Sequence, residues 1–163
     1  MTYEDRLEKI EARLRAAEDQ LEIIRLLSTY GPAVDSGASR AAAELWVEDG
    51  TYDVGGMNRF TGHDTLEALY EAPTHQGLIQ QGSAHITSTP QITLDGDRAE
   101  AVAYSLVIVR GPEAHVVWRA SANHWELRRT DAGWRIVTRS NRVLDGAPEA
   151  RAMLTRALGP QAV

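Results

Sequence analysis

The sequence predicts an α+β fold in which three N-terminal helices pack on one face of a strongly curved antiparallel sheet, forming a cone. Apolar residues recur at helical spacing in the first part of the chain. From residue 83 onward, the chain instead contains long runs rich in Val, Ile, Thr, Tyr and Trp, which are typical of strands. Because no linker, repeat or low-complexity segment separates the two parts, we expect one folded domain.

A first helix is predicted over residues 3–30. Its apolar residues, separated by 3, 4, 3, 4 and 3 positions, are Leu7, Ile10, Leu14, Ala17, Leu21 and Ile24. This stripe is shorter than the repeats of sustained coiled coils, so the pattern favours an amphipathic helix that packs on its own domain or on a neighbouring subunit. Gly31-Pro32 is expected to interrupt or kink the helix.

Two shorter helices and a first strand follow. Ser39 is suited to cap the first of these helices, and Pro73 is expected to stop the second. The predicted segments are a helix over residues 40–46, a strand over 51–54 that ends at Gly55-Gly56, a helix over 63–71 and a loop over 76–81.

The second half of the chain predicts a meander of antiparallel strands. Asp95-Gly96-Asp97, Gly111-Pro112 and Asp131-Ala132-Gly133 supply the turn residues of hairpins. The predicted strands cover residues 85–89, 91–94, 99–110, 115–127 and 134–138, and a closing helix over 148–158 begins at Pro148.

The composition excludes several classes of protein. The chain has 163 residues, no cysteine, a formal net charge of −6 and a pI near 5.3. An acidic balance argues against nucleic-acid binding, and the lack of cysteine excludes disulfides and Cys-ligated metal sites. No apolar run approaches the roughly 18–20 residues that span a membrane, and the acidic N-terminus does not resemble a secretory signal. We therefore expect a cytoplasmic protein that contacts neither nucleic acid nor membrane.

His85 and Asp35 are the residues whose types and positions most suggest chemistry. An Asp that orients a His makes a general base suited to pH 7. His85 opens a predicted strand and can point into the cone, while Asp35 follows the apolar pair Ala33-Val34, which should carry its carboxylate towards the core. Each residue also has a structural interpretation: a buried strand histidine, and an Asp that forms a turn before Ser36-Gly37. The spacing leaves both interpretations open.

Other polar and aromatic residues give weaker signals. Tyr30, Trp46 and Tyr52 could each line a pocket and offer a hydroxyl or indole N–H to a ligand, or belong to the core. His63 is expected to be exposed, and His75 to lie in a loop. No metal-binding His-Glu-x-x-His motif, phosphate-binding loop or Gly-x-Ser-x-Gly elbow occurs, so we expect no metal, no cofactor and no serine hydrolase.

Five short segments carry a resemblance to a known superfamily. They are Tyr30-Gly31-Pro32-Ala33-Val34-Asp35, Leu45-Trp46-Val47-Glu48-Asp49-Gly50-Thr51-Tyr52, Phe60-Thr61-Gly62, Ala84-His85-Ile86-Thr87-Ser88 and Gly133-Trp134-Arg135-Ile136. Together they resemble, over residues 18–145, the SnoaL-like branch of the nuclear-transport-factor-2-like superfamily, whose fold is a cystatin-like α+β cone. The greatest similarity is to the group that contains scytalone dehydratase and hexachlorocyclohexane dehydrochlorinase.

This resemblance implies catalytic roles for two residues. Both enzymes use an Asp–His dyad as the base for an elimination, and the dyad positions coincide with Asp35 and His85. The dehydrochlorinase has a lysine at the position of Tyr30. A neutral phenol cannot stabilise a leaving chloride as an ammonium group would, and this departure argues against dehydrochlorination.

The resemblance also implies features of the substrate site and of the assembly. The dehydrochlorinase has a tryptophan at the position of Trp46 and an arginine near Arg139, so we expect both to bind substrate together with Tyr30 and Tyr52. A homo-oligomer is implied, with a trimer favoured over a dimer. Residues 1–17 would form a helical extension and residues 18–163 the SnoaL-like domain.

Together these observations favour a cofactor-independent lyase or isomerase that acts on a small apolar molecule in the cone. Dehydration is the first choice of reaction, followed by allylic isomerisation or a polyketide-type aldol cyclisation. The alternative is a non-catalytic subunit of the same fold that binds a small ligand or serves in an assembly. Epoxide hydrolysis ranks lower, because it would need several acids around a water and only Asp35 is a good candidate.

Overall fold

The computed structural model describes residues 2–56 and 58–159 and confirms the α+β prediction. The helices are α1 (Tyr3–Asp35), α2 (Ser39–Ala43), α3 (His63–Glu71), α4 (Pro73–Gln81) and α5 (Pro148–Thr155), followed by a 3-10 turn at Arg156–Leu158. The strands are β1 (Trp46–Val54), β2 (Asn58–Thr61), β3 (Ser83–Thr87), β4 (Gln91–Asp95), β5 (Arg98–Arg110), β6 (His115–Thr130) and β7 (Gly133–Val143).

The strands form one sheet in the order β2-β1-β7-β6-β5-β3, and β4 pairs with the first half of β5. All pairs among β3 to β7 are antiparallel, as predicted, but β1 runs parallel to β7, so the sheet is mixed. Parallel neighbours need a long connection, which the elements between β1 and β7 provide. Register shifts at Val107/Ile108 and Glu126/Leu127 are β-bulges, which bend the long strands.

Helix α1 continues through Gly31 and Pro32 to Asp35, so the predicted interruption is wrong. Pro32 has no N–H to donate to the carbonyl four residues earlier, so the helix loses one hydrogen bond there, but only three helical residues follow it. The Ser36 N–H closes this turn by donating to the Pro32 carbonyl at 3.0 Å. Because Val34 is buried at 1% exposure, packing of the last turn offsets the cost of the proline.

Helix α4 occupies a segment that was predicted in part as a loop. Pro73 does end α3, because Ala72 before it is extended, with ψ of 143°. The same proline then begins α4, where its missing N–H removes no hydrogen bond. His75 therefore lies on a helix.

Two other element boundaries differ from the prediction. Helix α2 ends at Ala43 rather than near residue 46, because Trp46 already pairs with Ile136 of β7. Strand β2 was not predicted, since Asn58–Thr61 contains only one apolar side chain and shows no alternation.

Polar contacts anchor the second half of α1 on the β6–β7 hairpin. Asp19 accepts hydrogen bonds from Arg129 at 2.6 Å and from the indole N–H of Trp134 at 3.1 Å. Glu22 accepts from the Trp134 backbone N–H at 2.8 Å, and Ile23 on the same side of the helix is fully buried. The helix end that carries Asp35 is thereby held over the sheet.

The first half of α1 is exposed apart from the half-buried Ala16, and the exposure on one side of the helix extends to Leu21. Four residues of the predicted apolar stripe, hereafter the exposed α1 stripe, are between 44% and 63% exposed: Leu7, Ile10, Leu14 and Leu21. The helix is continuous across residues 17 and 18, and the division into residues 1–17 and 18–163 stays a prediction; residues 1 and 160–163 lie outside the described residues. No described helix is long and apolar enough to cross a membrane.

Gly31 permits α1 to approach β3 closely. A Cβ atom at this position would overlap the backbone carbonyl oxygen of His85. Glycine is the one residue that can bring a helix this near to a neighbouring backbone. The end of α1 and the start of β3 therefore meet at His85.

We expect Gly31→Ala to destabilise the fold by about 1–3 kcal/mol, the usual cost of forcing an extra methyl group into a packed contact. Gly77→Ala is the matched control, because Gly77 lies within α4 with open space around it. Alanine should leave that helix unchanged or stabilise it by about 0.5–1 kcal/mol. Urea unfolding followed by circular dichroism measures both variants, and equal stability of Gly31→Ala and the wild type would contradict the packing argument.

Candidate active site

Asp35 and His85 are in direct contact where α1 meets β3. The Nδ1 atom of His85 lies 2.6 Å from Oδ1 of Asp35. The second carboxylate oxygen, Oδ2, accepts a hydrogen bond from the backbone N–H of His85, also at 2.6 Å. The hydroxyl of Ser83 donates to Oδ1 at 3.2 Å. One carboxylate therefore holds both the ring and the backbone of His85.

These contacts determine which ring nitrogen of His85 carries the proton. An ionised carboxylate only accepts hydrogen bonds, so Nδ1 is the N–H and Nε2 has the lone pair. The side chain of His85 is 12% exposed, and within residues 2–56 and 58–159 its Nε2 has no hydrogen-bond partner. A free Nε2 opposite an Asp-bound Nδ1 is the arrangement of a general base.

A cavity of about 190 Å³ adjoins the Asp35–His85 pair. Its wall is largely aromatic and includes His85 together with Tyr30, Tyr52, Tyr70, His75, Trp118 and Arg119. Two larger depressions, of about 860 and 710 Å³, are lined mainly by charged and small residues and include neither Asp35 nor His85. The smaller cavity is the candidate site, because His85, which is bonded to Asp35, forms part of its wall.

Arg139 is a buried cation behind the cavity wall. Its guanidinium carbon lies 4.2 Å from the ring centroid of Tyr30 and 4.6 Å from that of Tyr52. Its Nε–H donates to Oδ1 of Asn123 at 2.9 Å, and no carboxylate pairs with it in the described part of the chain. The positive charge is therefore stabilised by the faces of aromatic rings, two of which line the cavity.

Comparison with known families identifies the chain's relatives. Residues 15–140 match the SnoaL-like domain family. The chain belongs to this family. The predicted membership and the cystatin-like cone are thus confirmed.

Solved structures agree with this SnoaL-like assignment. An NTF2-like protein with a cystatin-like fold from Novosphingobium aromaticivorans is 44% identical, with a TM-score of 0.88 over 91% of this chain and 96% of that chain. A protein of unknown function from Mycobacterium tuberculosis is 19% identical, with a TM-score of 0.72 over 91% and 90%. A Catenulispora acidiphila protein in complex with S-DNPA is 18% identical, with a TM-score of 0.66 over 81% and 94%. The last two show the fold alone, and no match was found among curated proteins.

Three of the six predicted site residues line the cavity of this SnoaL-like cone, namely His85, Tyr30 and Tyr52, and Asp35 is bonded to His85 behind the wall. Trp46 and Arg139 lie one layer behind. The Trp46 ring is 6.0 Å from that of Tyr30 and 6.1 Å from that of Tyr52, and it is 1% exposed. Trp46 and Arg139 therefore contact the residues of the wall and are not themselves part of it.

Sequence reasoning missed several residues of the wall. Tyr70 shares a helix face with Leu66, and this spacing could have indicated that it is buried. Pro73 followed by a helix-compatible segment was the available signal for α4 and His75. Trp118 and Arg119 lie on β6 and reach the cavity wall because of the way the sheet folds, so no local sequence pattern indicates that they line the cavity. His63, predicted to be exposed, is part-buried, with its Nε2 3.0 Å from the Trp46 carbonyl oxygen.

The described residues contain no group of three or more His, Asp or Glu side chains arranged to hold a metal ion.

Burial is the main cause of the pKa shifts of the residues that line the cavity. It lowers the pKa of His85 from the ordinary 6.5, and the Asp35 carboxylate opposes this effect. Burial also raises the pKa of Tyr30 to about 12 and that of Tyr70 well above its ordinary 10. At pH 7 the site therefore combines a neutral imidazole with protonated phenols.

We expect a ¹⁵N NMR titration to show His85 as the Nδ1–H tautomer with a pKa below 6.5. Asp35→Asn should lower that pKa further, because the carboxylate is the group that favours the protonated ring against burial. The exposed His115 provides an internal reference signal in the same spectra. A rise in the His85 pKa on Asp35→Asn would contradict this account of the site.

Proposed function

We propose that this SnoaL-like protein is a cofactor-independent lyase or isomerase in which His85 removes a proton from a small, mostly apolar substrate. The observation that carries the proposal is the 2.6 Å contact between Nδ1 of His85 and Oδ1 of Asp35 at the wall of the 190 Å³ cavity. Among reactions that begin with proton removal, dehydration is our first choice. Allylic isomerisation and aldol cyclisation come next.

The role of Asp35 follows from its hydrogen bonds. When Nε2 takes a proton the ring becomes an imidazolium, and the adjacent carboxylate stabilises the new positive charge. The lowered pKa of His85 keeps Nε2 unprotonated at pH 7. The Asp35 carboxylate opposes the lowering, so the imidazole remains basic enough to accept a proton. Both effects favour proton transfer near neutrality.

The tyrosines are suited to stabilise the negative charge that forms on a substrate oxygen after the proton is removed. Tyr30 and Tyr52 line the cavity, and the buried guanidinium of Arg139 lies against both rings. A nearby positive charge strengthens a phenol as a hydrogen-bond donor, so either hydroxyl could stabilise negative charge that develops on a carbonyl or departing oxygen. Arg139 would contribute through these rings, and Trp46 would hold them in place.

The cavity also restricts the substrate. Ligand pockets commonly have volumes of about 300–1,000 Å³, so a cavity of 190 Å³ favours a small molecule. Aromatic rings from three tyrosines and a tryptophan favour a flat or apolar one. The proposed ligand is accordingly a small apolar molecule with one polar oxygen.

The elimination of 5-nitrobenzisoxazole tests the proposed base directly. In this apolar bicycle, abstraction of one carbon-bound proton opens the ring and releases a coloured nitrophenolate. We expect His85→Ala and Asp35→Asn each to lower kcat/KM by roughly 100-fold or more, the usual contribution of acid–base catalysis. The wild-type rate should rise with pH as His85 loses its proton and level off near neutrality, with a midpoint below 6.5.

His115→Ala is the matched control for that experiment, because His115 is exposed and lies outside the cavity. Its rate should equal that of the wild type. Thermal unfolding of each variant separates loss of the base from loss of the fold. Equal elimination rates for the wild type and a folded His85→Ala variant would contradict the proposal.

The exposed α1 stripe favours a second candidate role, that of a subunit in an assembly. Four apolar side chains at heptad-like spacing match a second copy of the same helix, which would bury them along a shared line. This role is compatible with catalysis and with the predicted homo-oligomer, for which a trimer is favoured over a dimer. If His85 proves dispensable, this role would stand as the main one.

We expect deletion of residues 2–17 to reduce the molar mass measured by size-exclusion chromatography with light scattering. The C-terminal half of α1 should remain folded, because Asp19 and Glu22 still bind the β6–β7 hairpin. The double variant Leu7→Glu/Leu14→Glu should reproduce the effect in the full-length chain. An unchanged mass in both variants would exclude the exposed α1 stripe from self-association.

A further inference from the structure

A second histidine, His75, lies beside His85 in the candidate site. The centroids of the two rings are 5.6 Å apart, and both rings line the 190 Å³ cavity. His75 comes from α4 and packs against Tyr70, with ring centroids 5.9 Å apart. The site therefore holds two titratable imidazoles on different elements.

The two rings have complementary hydrogen bonds. Nε2 of His75 lies 3.3 Å from the carbonyl oxygen of Val34. A carbonyl only accepts, so Nε2 carries the hydrogen and Nδ1 is the free nitrogen of His75. In His85 the free nitrogen is Nε2, because Nδ1 donates to Asp35. The cavity thus presents one imidazole through Nε2 and the other through Nδ1.

We propose that His75 is the second proton-transfer residue of this site and protonates the departing oxygen of the substrate. The inference rests on the proposed function, in which His85 removes the first proton. The spacing of 5.6 Å between the rings suits a substrate that places an acidic C–H before one histidine and an oxygen leaving group before the other. The substrate class is therefore one with a poor oxygen leaving group, such as a hydroxyl, on the carbon next to the acidic one.

For a dehydration, the proposed cycle starts with His85 neutral and with His75 protonated on both ring nitrogens, Nε2 bonded to the Val34 carbonyl and Nδ1 facing the substrate. The proton on carbon passes to Nε2 of His85, and the C–H electron pair forms the new double bond. The C–O bond breaks, its electron pair stays on oxygen, and the proton on Nδ1 of His75 converts the leaving hydroxide to water. His85 ends protonated and His75 neutral, so exchange of one proton each with solvent restores the starting state.

The charged and titratable neighbours of His75 come from every element around it. Asp35 of α1 and His85 of β3 lie on one side and Tyr70 of α3 on another, with Arg119 of β6 on the cavity wall and Arg139 of β7 behind it. One carboxylate and two guanidinium groups therefore lie around the pair of imidazoles.

His75→Gln tests the inference with little change in structure. A glutamine side chain can place its amide N–H where Nε2 of His75 lies, so it keeps the bond to Val34, but it has no group that replaces Nδ1 as a proton donor. His63→Gln is the matched control, because Nε2 of His63 likewise bonds to a backbone carbonyl, that of Trp46, and the ring lies outside the cavity.

The measurement is the elimination rate of 5-nitro-, 5-chloro- and unsubstituted benzisoxazole, whose phenolate leaving groups become progressively more basic. If His75 protonates the oxygen, His75→Gln should lower kcat/KM by roughly 100-fold for the unsubstituted compound and by less than about threefold for the nitro compound. His63→Gln should leave all three rates unchanged.

A loss in His75→Gln that is equal for all three compounds, or no loss at all, would overturn the assignment of His75. In either case activity that still depends on His85 would leave the proposed base intact. A wild-type protein no faster than His85→Ala on every compound would overturn the proposed function, and the role of His75 with it.

Discussion

The carboxylate of Asp35 is the contact on which the site depends. It ends α1 and binds three donors at the start of β3: the ring and backbone N–H groups of His85 and the hydroxyl of Ser83. A partly buried carboxylate is costly unless such donors surround it, so the helix end and the strand stabilise each other. Gly31, one turn earlier, makes the approach possible, because any larger residue would meet the His85 carbonyl.

A second constraint is the burial of Arg139. A guanidinium at 3% exposure without a carboxylate partner among the described residues is held by Asn123 and by the rings of Tyr30, Tyr52 and Trp125. A carboxylate in that position would neutralise the charge and remove its influence on the cavity. The unneutralised charge instead opposes protonation of His85 and favours negative charge near the tyrosine hydroxyls. The electrostatics of the site thus suit reactions that build negative charge on substrate oxygen.

Local sequence patterns predicted much of this fold, and they failed where tertiary contacts override local preference. Strand periodicity identified the strands from β3 to β7. Residue type made Asp35 and His85 candidates, and the family resemblance, not a local pattern, favoured them as a pair. The parallel pairing of β1 with β7 could not be predicted, because pairing partners leave no local signal. Pro32 and Pro73 were both interpreted as helix breaks. In the structure, α1 continues past Pro32 because Val34 is buried, whereas Pro73 ends α3 as predicted and also begins α4. The depth of Arg139 depends on sheet curvature, which sequence does not specify.

The continuation of α1 past Pro32 has a consequence for both histidines. Its last turn delivers two consecutive acceptors, the Val34 carbonyl towards His75 and the Asp35 carboxylate towards His85. Carbonyls in the last turn of a helix lack intrahelical partners, so the Val34 oxygen can accept from an outside donor as well as from the Gly37 N–H at 3.3 Å. The two acceptors differ in charge. The charged Asp35 carboxylate accepts from His85, whereas the neutral Val34 carbonyl accepts from His75. One helical turn, extended by a single residue beyond the buried Val34, therefore sets the positions of both imidazole rings.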